Sequence, residues 1–424
     1  MVRILSSFLF TTALFALAYS SFRPELAQNI CILRPDSLGG DASVNIIETL
    51  ERCSQNSVII FTEGTFHIER VMVTTGLQNV KIDMRGTLLW GKDLDYWRNN
   101  SVPLGYQNQT VAWKFGGKDL LWEGHDAGTF DGNGQLWYDL SNGTSNLSGR
   151  PINLMITDTI DSVFDGIRFV QSQFWTMAIT HSKRLLLQNI YINSTSFSQA
   201  STLNTDGVDT FYSSDIVFRN WTVDCGDDFV APKANSSNIL IQDSHFYHGT
   251  GVAIGSIGQY LGEFEYIENV LAERITCTQC EYTGWIKTWT GIQQGYPPNG
   301  GGGGLGYARN ITFRDWIVHN ISREAAHISQ CISNVGATGG CDTSKFQISD
   351  VTWENIRGSE NTDILAMLQC SGAAPCRGIR MLGFDAISTN GTKREVKCSN
   401  VVDPVGFKCT TKFPTFGLFR NREL

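Results

Sequence analysis

Past its first twenty residues the chain has no long uncharged apolar run, so no later segment reads as a membrane-spanning helix. Positive charge is short: 33 Lys and Arg stand against 41 Asp and Glu, a formal net charge of −8. That balance argues against nucleic acid or an anionic membrane as partner. Proline is scarce at 10 residues, and no helix-period pattern competes across the middle of the chain. Cys277 and Cys280 form a lone CxxC without a second pair or histidines at ligand spacing, so a local disulfide outweighs a zinc site. The glycine run at 300–304 lacks the Lys-Ser/Thr of a phosphate loop and reads as a flexible surface insertion.

What is present points elsewhere. Forty-two glycines and 11% aromatics favour a turn-rich β protein. Residues 1–20 have the layout of a secretory signal peptide: Arg3, an apolar run from Ile4 to Ala18, then small residues around Ala18 and Ser20. The remainder, 21–424, is expected to be one secreted, extracellular and monomeric domain. Asn-x-Ser/Thr sequons stand at Asn99, Asn108, Asn142, Asn146, Asn193, Asn220, Asn235, Asn310, Asn320 and Asn390. Eleven cysteines suit an oxidising compartment. Spacing suggests Cys31 with Cys53, Cys331 with Cys341, Cys370 with Cys376 and Cys398 with Cys409; of Cys225, Cys277 and Cys280 one thiol stays free.

One short strand phrase recurs, ending each time in Asn, Asp, Arg or Gly before a second strand. Aligning its copies on Phe164, Leu187, Phe218, Ile241, Ala272, Phe313 and Trp353 gives steps of 23, 31, 23, 31, 41 and 40 residues. A 23-residue step is one coil of a parallel β-helix, and the longer steps are coils carrying insertions. A β-sandwich would show turn signals but no such register. The expected fold is therefore all-β, a parallel β-helix in a single domain.

Three acidic residues gather in that frame: Asp206 in Asn204-Thr205-Asp206-Gly207, and the pair Asp227-Asp228. Asp206 and Asp227 are 21 residues apart, nearly one coil, so the carboxylates are expected to crowd one patch. An isolated Asp among Asn and Gly is ordinarily turn chemistry. Three converging carboxylates cannot all ionise cheaply, and one retained proton beside an ionised partner is what glycoside hydrolysis uses.

The order Asn204-Thr205-Asp206, Asp227-Asp228, Gly249-Thr250-Gly251 with Ile254-Gly255-Ser256, and Trp285-Ile286-Lys287 resembles the polygalacturonase and rhamnogalacturonase family of pectin hydrolases, glycoside hydrolase family 28. That family's pattern is NTD, DD, GHG-x-x-IGS and RIK. The stretch from Asp131 to Asp139 resembles a turn of its exo-acting branch. The resemblance implies a right-handed β-helix with an open cleft and inverting hydrolysis, without metal or cofactor. It implies Asp227 as general acid and Asp206 with Asp228 as the pair that activates water. Candidate substrate contacts are Lys287, Trp285, Asn204 and Thr250. Thr250 stands where the family has histidine; His248 lies two residues earlier and reads first as a surface residue. Trp285 stands where the family has arginine and is suited to stack on a sugar, with Trp289 on the same stripe. The resulting expectation is a secreted exo-hydrolase acting on a pectic polysaccharide, releasing terminal galacturonic acid. Release of rhamnose on the same scaffold is the alternative, a calcium-dependent pectate lyase or a non-catalytic pectin-binding β-helix the remoter ones.

Overall fold

A computed structural model describes residues 23–332, 340–388 and 395–412. The expected signal peptide and the sequon at Asn390 lie outside these residues. The chain winds as a right-handed parallel β-helix whose strands stack coil on coil in one continuous parallel ladder. The column read from the sequence is the column observed. Phe164 pairs with Leu187, Leu187 with Phe218, Phe218 with Ile241, Ile241 with Ala272, Ala272 with Phe313 and Phe313 with Trp353. It continues back through Trp122, Ile82 and Ile59 to Cys31, and forward to Met381.

Alternation along each strand sends one set of side chains into the core, where like residues stack on like. Phe130 lies on Phe169 with centroids 4.7 Å apart, Phe229 on Phe246 at 4.5 Å, and Phe313 on Trp353 at 5.4 Å. The sharp turn between two faces needs φ > 0, supplied by Asp161, Arg184, Asp215, Asn238, Asn269 and Asn310 in successive coils. Asparagine tolerates that conformation. Its amides also bond along the stack, Asn269 Nδ2 to Asn238 Oδ1 at 2.9 Å and Asn238 Nδ2 to Asp215 Oδ1 at 2.8 Å. This polar ladder is the ordinary use of Asn and Asp in the fold, and Asp206, Asp227 and Asp228 are not in it.

The helix Ser43–Arg52 packs its buried Ile46 and Leu50 at the N-terminal end of the core. Five disulfides close short loops: Cys31–Cys53, Cys277–Cys280, Cys331–Cys341, Cys370–Cys376 and Cys398–Cys409. Cys225 is the free, buried thiol.

One face of the helix carries the site. Its strands run Pro151–Thr157, Met177–Thr180, Val208–Phe211, Asp228–Pro232, Gly251–Ile257, Gly284–Trp289, Ala326–Ile332 and Ile364–Gln369, each paired with the next.

Candidate active site

Val208 lies opposite Val230, so coils here step by 22 residues and Asp206 falls beside Asp228. The amide of Gly207 donates to the carbonyl of Asp228 at 2.8 Å, which locks that register. Adding a Cβ at Gly207 would bring it to 2.3 Å from the Phe229 carbonyl, and at Gly249 to 2.3 Å from that of Asp227. The glycines flanking the acidic motifs are there for coil-to-coil approach. One oxygen from each of Asp206, Asp227 and Asp228 lies within 4.8 Å of the others, and all three side chains are buried.

Their environments differ. Asp227 accepts from the Asn204 amide at 3.2 Å and the Asn204 side chain at 3.3 Å on Oδ2, and from the Asp228 amide at 3.0 Å on Oδ1. Burial, and then the charge of Asp228, still lift its pKa to about 6. Asp206 is pushed well up, by burial first and then by Asp227, Asp209 and Asp228; its Oδ1 is buried without a hydrogen-bond partner. Asp228 accepts from Lys287 Nζ at 2.6 Å on Oδ2 and from the Thr250 hydroxyl on Oδ1. Burial works against the Lys287 charge, but Asp228 and Asp227 outweigh it and raise the ammonium pKa.

A second buried pair lies on the same two coils. Lys233 Nζ is 3.2 Å from Asp209 and donates to the Gly255 carbonyl at 3.0 Å. Burial drives the Asp209 pKa up to about 7, with Lys233 opposing and Asp228 adding to the rise.

The other candidates take distinct places. Asn204 braces Asp227 and is itself held, its Oδ1 accepting from the Asn146 amide at 2.9 Å. Thr250 is buried on Asp228. Lys287 sits 4.3 Å from the centroid of the half-buried Trp285. Trp289, expected to continue that stripe, is 3% exposed and closed off from the cleft surface because Thr288 and Trp289 follow an irregularity in the pairing. His248 is exposed on a turn with φ +65°, between Asp224 at 2.8 Å and Gln279 at 3.1 Å, apart from the carboxylate cluster.

Sequence reasoning missed several neighbours. Tyr282 and His327 pack around Trp285 at 5.1 and 5.6 Å, and His327 is bonded through Nδ1 to Glu324. Only pairing register (Trp285 opposite His327) could have found them. Lys233 and the buried Arg150 carried no motif at all. The three aspartates are also grouped closely enough to hold a cation, though Lys287 already supplies positive charge there; a second such group, Asp83, Glu123 and His125, lies on the outer surface beside Arg85 and Lys81.

An apolar cluster and a set of loop contacts lie on the coils beside the carboxylates. Leu104 and Tyr106 pack on Ile152, Met155, Phe174, Trp175 and Phe211, covering the outer face of the earlier strands. Above them a clasp of amides gathers three loops. Asn108 Nδ2 donates to the Pro297 carbonyl at 2.8 Å, Asn146 Nδ2 to Asn299 at 2.9 Å, and Gln259 Nε2 to the carbonyls of Pro298 and Gly300 at 3.0 and 3.1 Å. The glycine-rich insertion is thus docked rather than free.

The buried carboxylate trio lies on one face of a β-helix, and residues 64–409 match the model of glycosyl hydrolases family 28. The chain belongs to that family. As a family 28 member it is a glycoside hydrolase, related to enzymes that degrade pectin. It is 44% identical over 390 residues to an α-L-rhamnosidase of Aspergillus niger, covering 91% of this chain and 90% of the relative. It is 33% identical over 420 residues to a putative galacturan 1,4-α-galacturonidase of the same species, covering 92% and 95%. An exopolygalacturonase of Cochliobolus carbonum is 33% identical over 376 residues, covering 87% and 83%. Among solved structures, endo-xylogalacturonan hydrolase from Aspergillus tubingensis shares the fold with a TM-score of 0.75 at 24% identity, covering 90% of this chain and 99% of that one.

Proposed function

We propose that this enzyme removes terminal α-L-rhamnose from rhamnogalacturonan-type pectin outside the cell, by single displacement with inversion. The observation that carries the choice of sugar is the Lys287–Asp228 contact at 2.6 Å. A site that grips a uronate needs a cation to spare. Here Lys287 is held by Asp228, Lys233 by Asp209, Arg323 by Glu281 and His327 by Glu324, and Trp285 stands where the family carries arginine. A neutral 6-deoxy sugar makes no such demand. The rhamnosidase of Aspergillus niger supports the same reading. The five disulfides support an oxidising, extracellular setting.

In the reaction, Asp227 gives its proton to the glycosidic oxygen as the bond to the anomeric carbon breaks. Asp228, oriented by Lys287 and Thr250, takes a proton from a water that attacks the opposite face. The unpartnered Oδ1 of Asp206 is available to hold that water. Exo action is supported by Leu104, Tyr106 and the amide clasp, which gather loops beside the carboxylates where a passing chain would have to run. A second reading, release of terminal galacturonic acid, is favoured by the presence of Lys287 in its motif and by the 33% identical galacturonidase and exopolygalacturonase.

Chromatography of products over time from rhamnogalacturonan oligosaccharides and from polygalacturonate, with Asp227→Asn alongside, decides between them. Free rhamnose as the sole early product is the expected result. Galacturonic acid monomer instead would establish the second reading, and mixed oligomers from the first minutes would remove exo action.

A further inference from the structure

Past the carboxylates, the site-bearing face carries groups that have no part in the acid–base step. On the strand Gly284–Trp289, Ile286 is in the core, so Trp285 and Lys287 stand on the outer side. On Ala326–Ile332, Ala326 and Ile328 are in the core and His327 stands outward, directly opposite Trp285. Lys287 Nζ joins this group to the carboxylates, 2.6 Å from Asp228 and 4.3 Å from the centroid of the Trp285 ring. Tyr282 packs on both other rings, its centroid 5.1 Å from that of Trp285 and 4.9 Å from that of His327. His327 in turn meets Trp285 edge-on, with centroids 5.6 Å apart. Three rings thus form one wall. His327, 8% exposed, is as accessible as Lys287 at 8% and Asp227 at 6%.

His327 is the member of the wall with a polar group to offer. Its Nδ1 is bonded to the buried carboxylate of Glu324; a carboxylate accepts, so Nδ1 carries a proton and the ring is held in one orientation. Among the described residues its Nε2 has no hydrogen-bond partner. Packing against Tyr282 and Trp285 alone would be served by an apolar ring, without the desolvation that a buried Glu–His pair costs. A ring pinned at one nitrogen and unbonded at the other suits a hydroxyl, which both gives and takes hydrogen bonds. Leu104, Tyr106 and the amide clasp gather on the earlier coils, so a chain whose terminal sugar lies at the carboxylates continues over the later ones. We propose that Tyr282, Trp285 and His327 form the binding wall for the leaving chain, with a sugar stacked on Trp285 and one of its hydroxyls bonded to His327 Nε2. This assignment rests on the exo action proposed above and concerns the other side of the bond that is cut. In rhamnogalacturonan the sugar beside a terminal rhamnose is galacturonate. It is read here by ring and hydroxyl rather than by its carboxylate, since Lys287, Arg323 and His327 each already face a carboxylate.

Binding, not turnover, is measured, by calorimetry in full-length Asp227→Asn protein. The ligand is a rhamnogalacturonan oligosaccharide with galacturonate at its non-reducing end, which is what the leaving chain becomes. His327→Phe keeps an aromatic ring against Tyr282 and Trp285 but has no Nε2, and should weaken binding about tenfold, the worth of one hydrogen bond. His327→Gln keeps a hydrogen-bonding group at similar reach and should stay within about threefold. Trp285→Ala, which removes the stacking surface, should also lose about tenfold. A folded His327→Phe that binds as tightly as the histidine protein, or a His327→Gln that loses as much as His327→Phe, overturns the proposal. If His327→Phe does not fold, nitrogen-15 labelling of the histidines supplies the readout. The oligosaccharide must then shift the Nε2 resonance that His327→Gln removes, and an unshifted resonance overturns the proposal. Failure of the proposed function is a separate outcome. If product analysis shows galacturonic acid released, the leaving chain is an oligogalacturonide, and the same variants titrated with it must show the same order of affinities.

Discussion

At the scale of the residue, each carboxylate of the proposed catalytic trio is defined by what it accepts. Asp227 has only amide donors from Asn204 and Asp228, and burial with the charge of Asp228 lifts its pKa to about 6, so that it, like the more strongly raised Asp206 and Asp209, can hold a proton under mildly acidic conditions. Activity should fall as pH rises through about 6, which an initial-rate profile would show. Replacing Asp227 by Asn should lower kcat by roughly 10²–10⁴-fold, the usual worth of a general acid, while equilibrium binding of substrate oligosaccharide survives. Retained turnover would exclude Asp227 as the acid. Thr250 is a subtler case. Its hydroxyl donates to Asp228 from within the core, so Thr250→Val keeps the shape and removes one donor to a charged acceptor. A drop in kcat of about tenfold or more, with KM little changed, is expected from steady-state kinetics. The trio was legible in the sequence because Asp227 and Asp228 are adjacent and Asp206 lies nearly one coil away. Lys233 and His327 were not, since each meets the site only through stacking across coils of unequal length. The sequence also showed Trp285 and Trp289 as one stripe, and the break in pairing after Lys287 separates them.

At the scale of the element, the coil is the unit that was easiest to read. A single apolar phrase placed Phe164 through Trp353 in their observed register, because a β-helix must stack like positions on like. What no phrase could show is where the insertions go. The amide clasp joins residues such as Asn146 and Asn299, which share no pattern, and each amide could equally have faced water. Cutting it with Asn146→Ala and Gln259→Ala together should loosen these loops and let internal bonds be cut. The check is viscosity of a polymeric substrate set against reducing ends released; a ratio unchanged from the native enzyme would leave exclusion of a passing chain to Leu104 and Tyr106 alone. The same logic of close coils makes Gly249 sensitive. A methyl at 2.3 Å from the Asp227 carbonyl cannot be housed without shifting the turn that carries Asp227, so Gly249→Ala should lower both Tm and kcat, by about 1–3 kcal/mol in stability.

At the scale of the whole molecule, the buried carboxyls tie stability to pH. Asp209 and Asp227 have folded pKa values of about 7 and about 6, above the value of ~3.9 expected in an unfolded chain. The folded state therefore binds more protons between these limits. That contribution is complete below about pH 4 and is lost as pH rises through 6 and 7. Thermal unfolding should give a higher Tm at pH 5 than at pH 7.5, and Asp209→Asn should flatten the difference; a Tm that climbs toward neutrality would contradict the raised values. One further property follows from Cys225, whose Sγ lies 3.3 Å from the Asp227 carbonyl in a chain whose other ten cysteines are bonded in pairs. A solenoid opens coil by coil, and its middle need not open with its ends. An alkylating reagent can reach this sulfur only when the catalytic turn comes away from its neighbours. The rate at which a single thiol is consumed in the native protein is therefore a clock for the breathing of the active site, needing no label and no mutation.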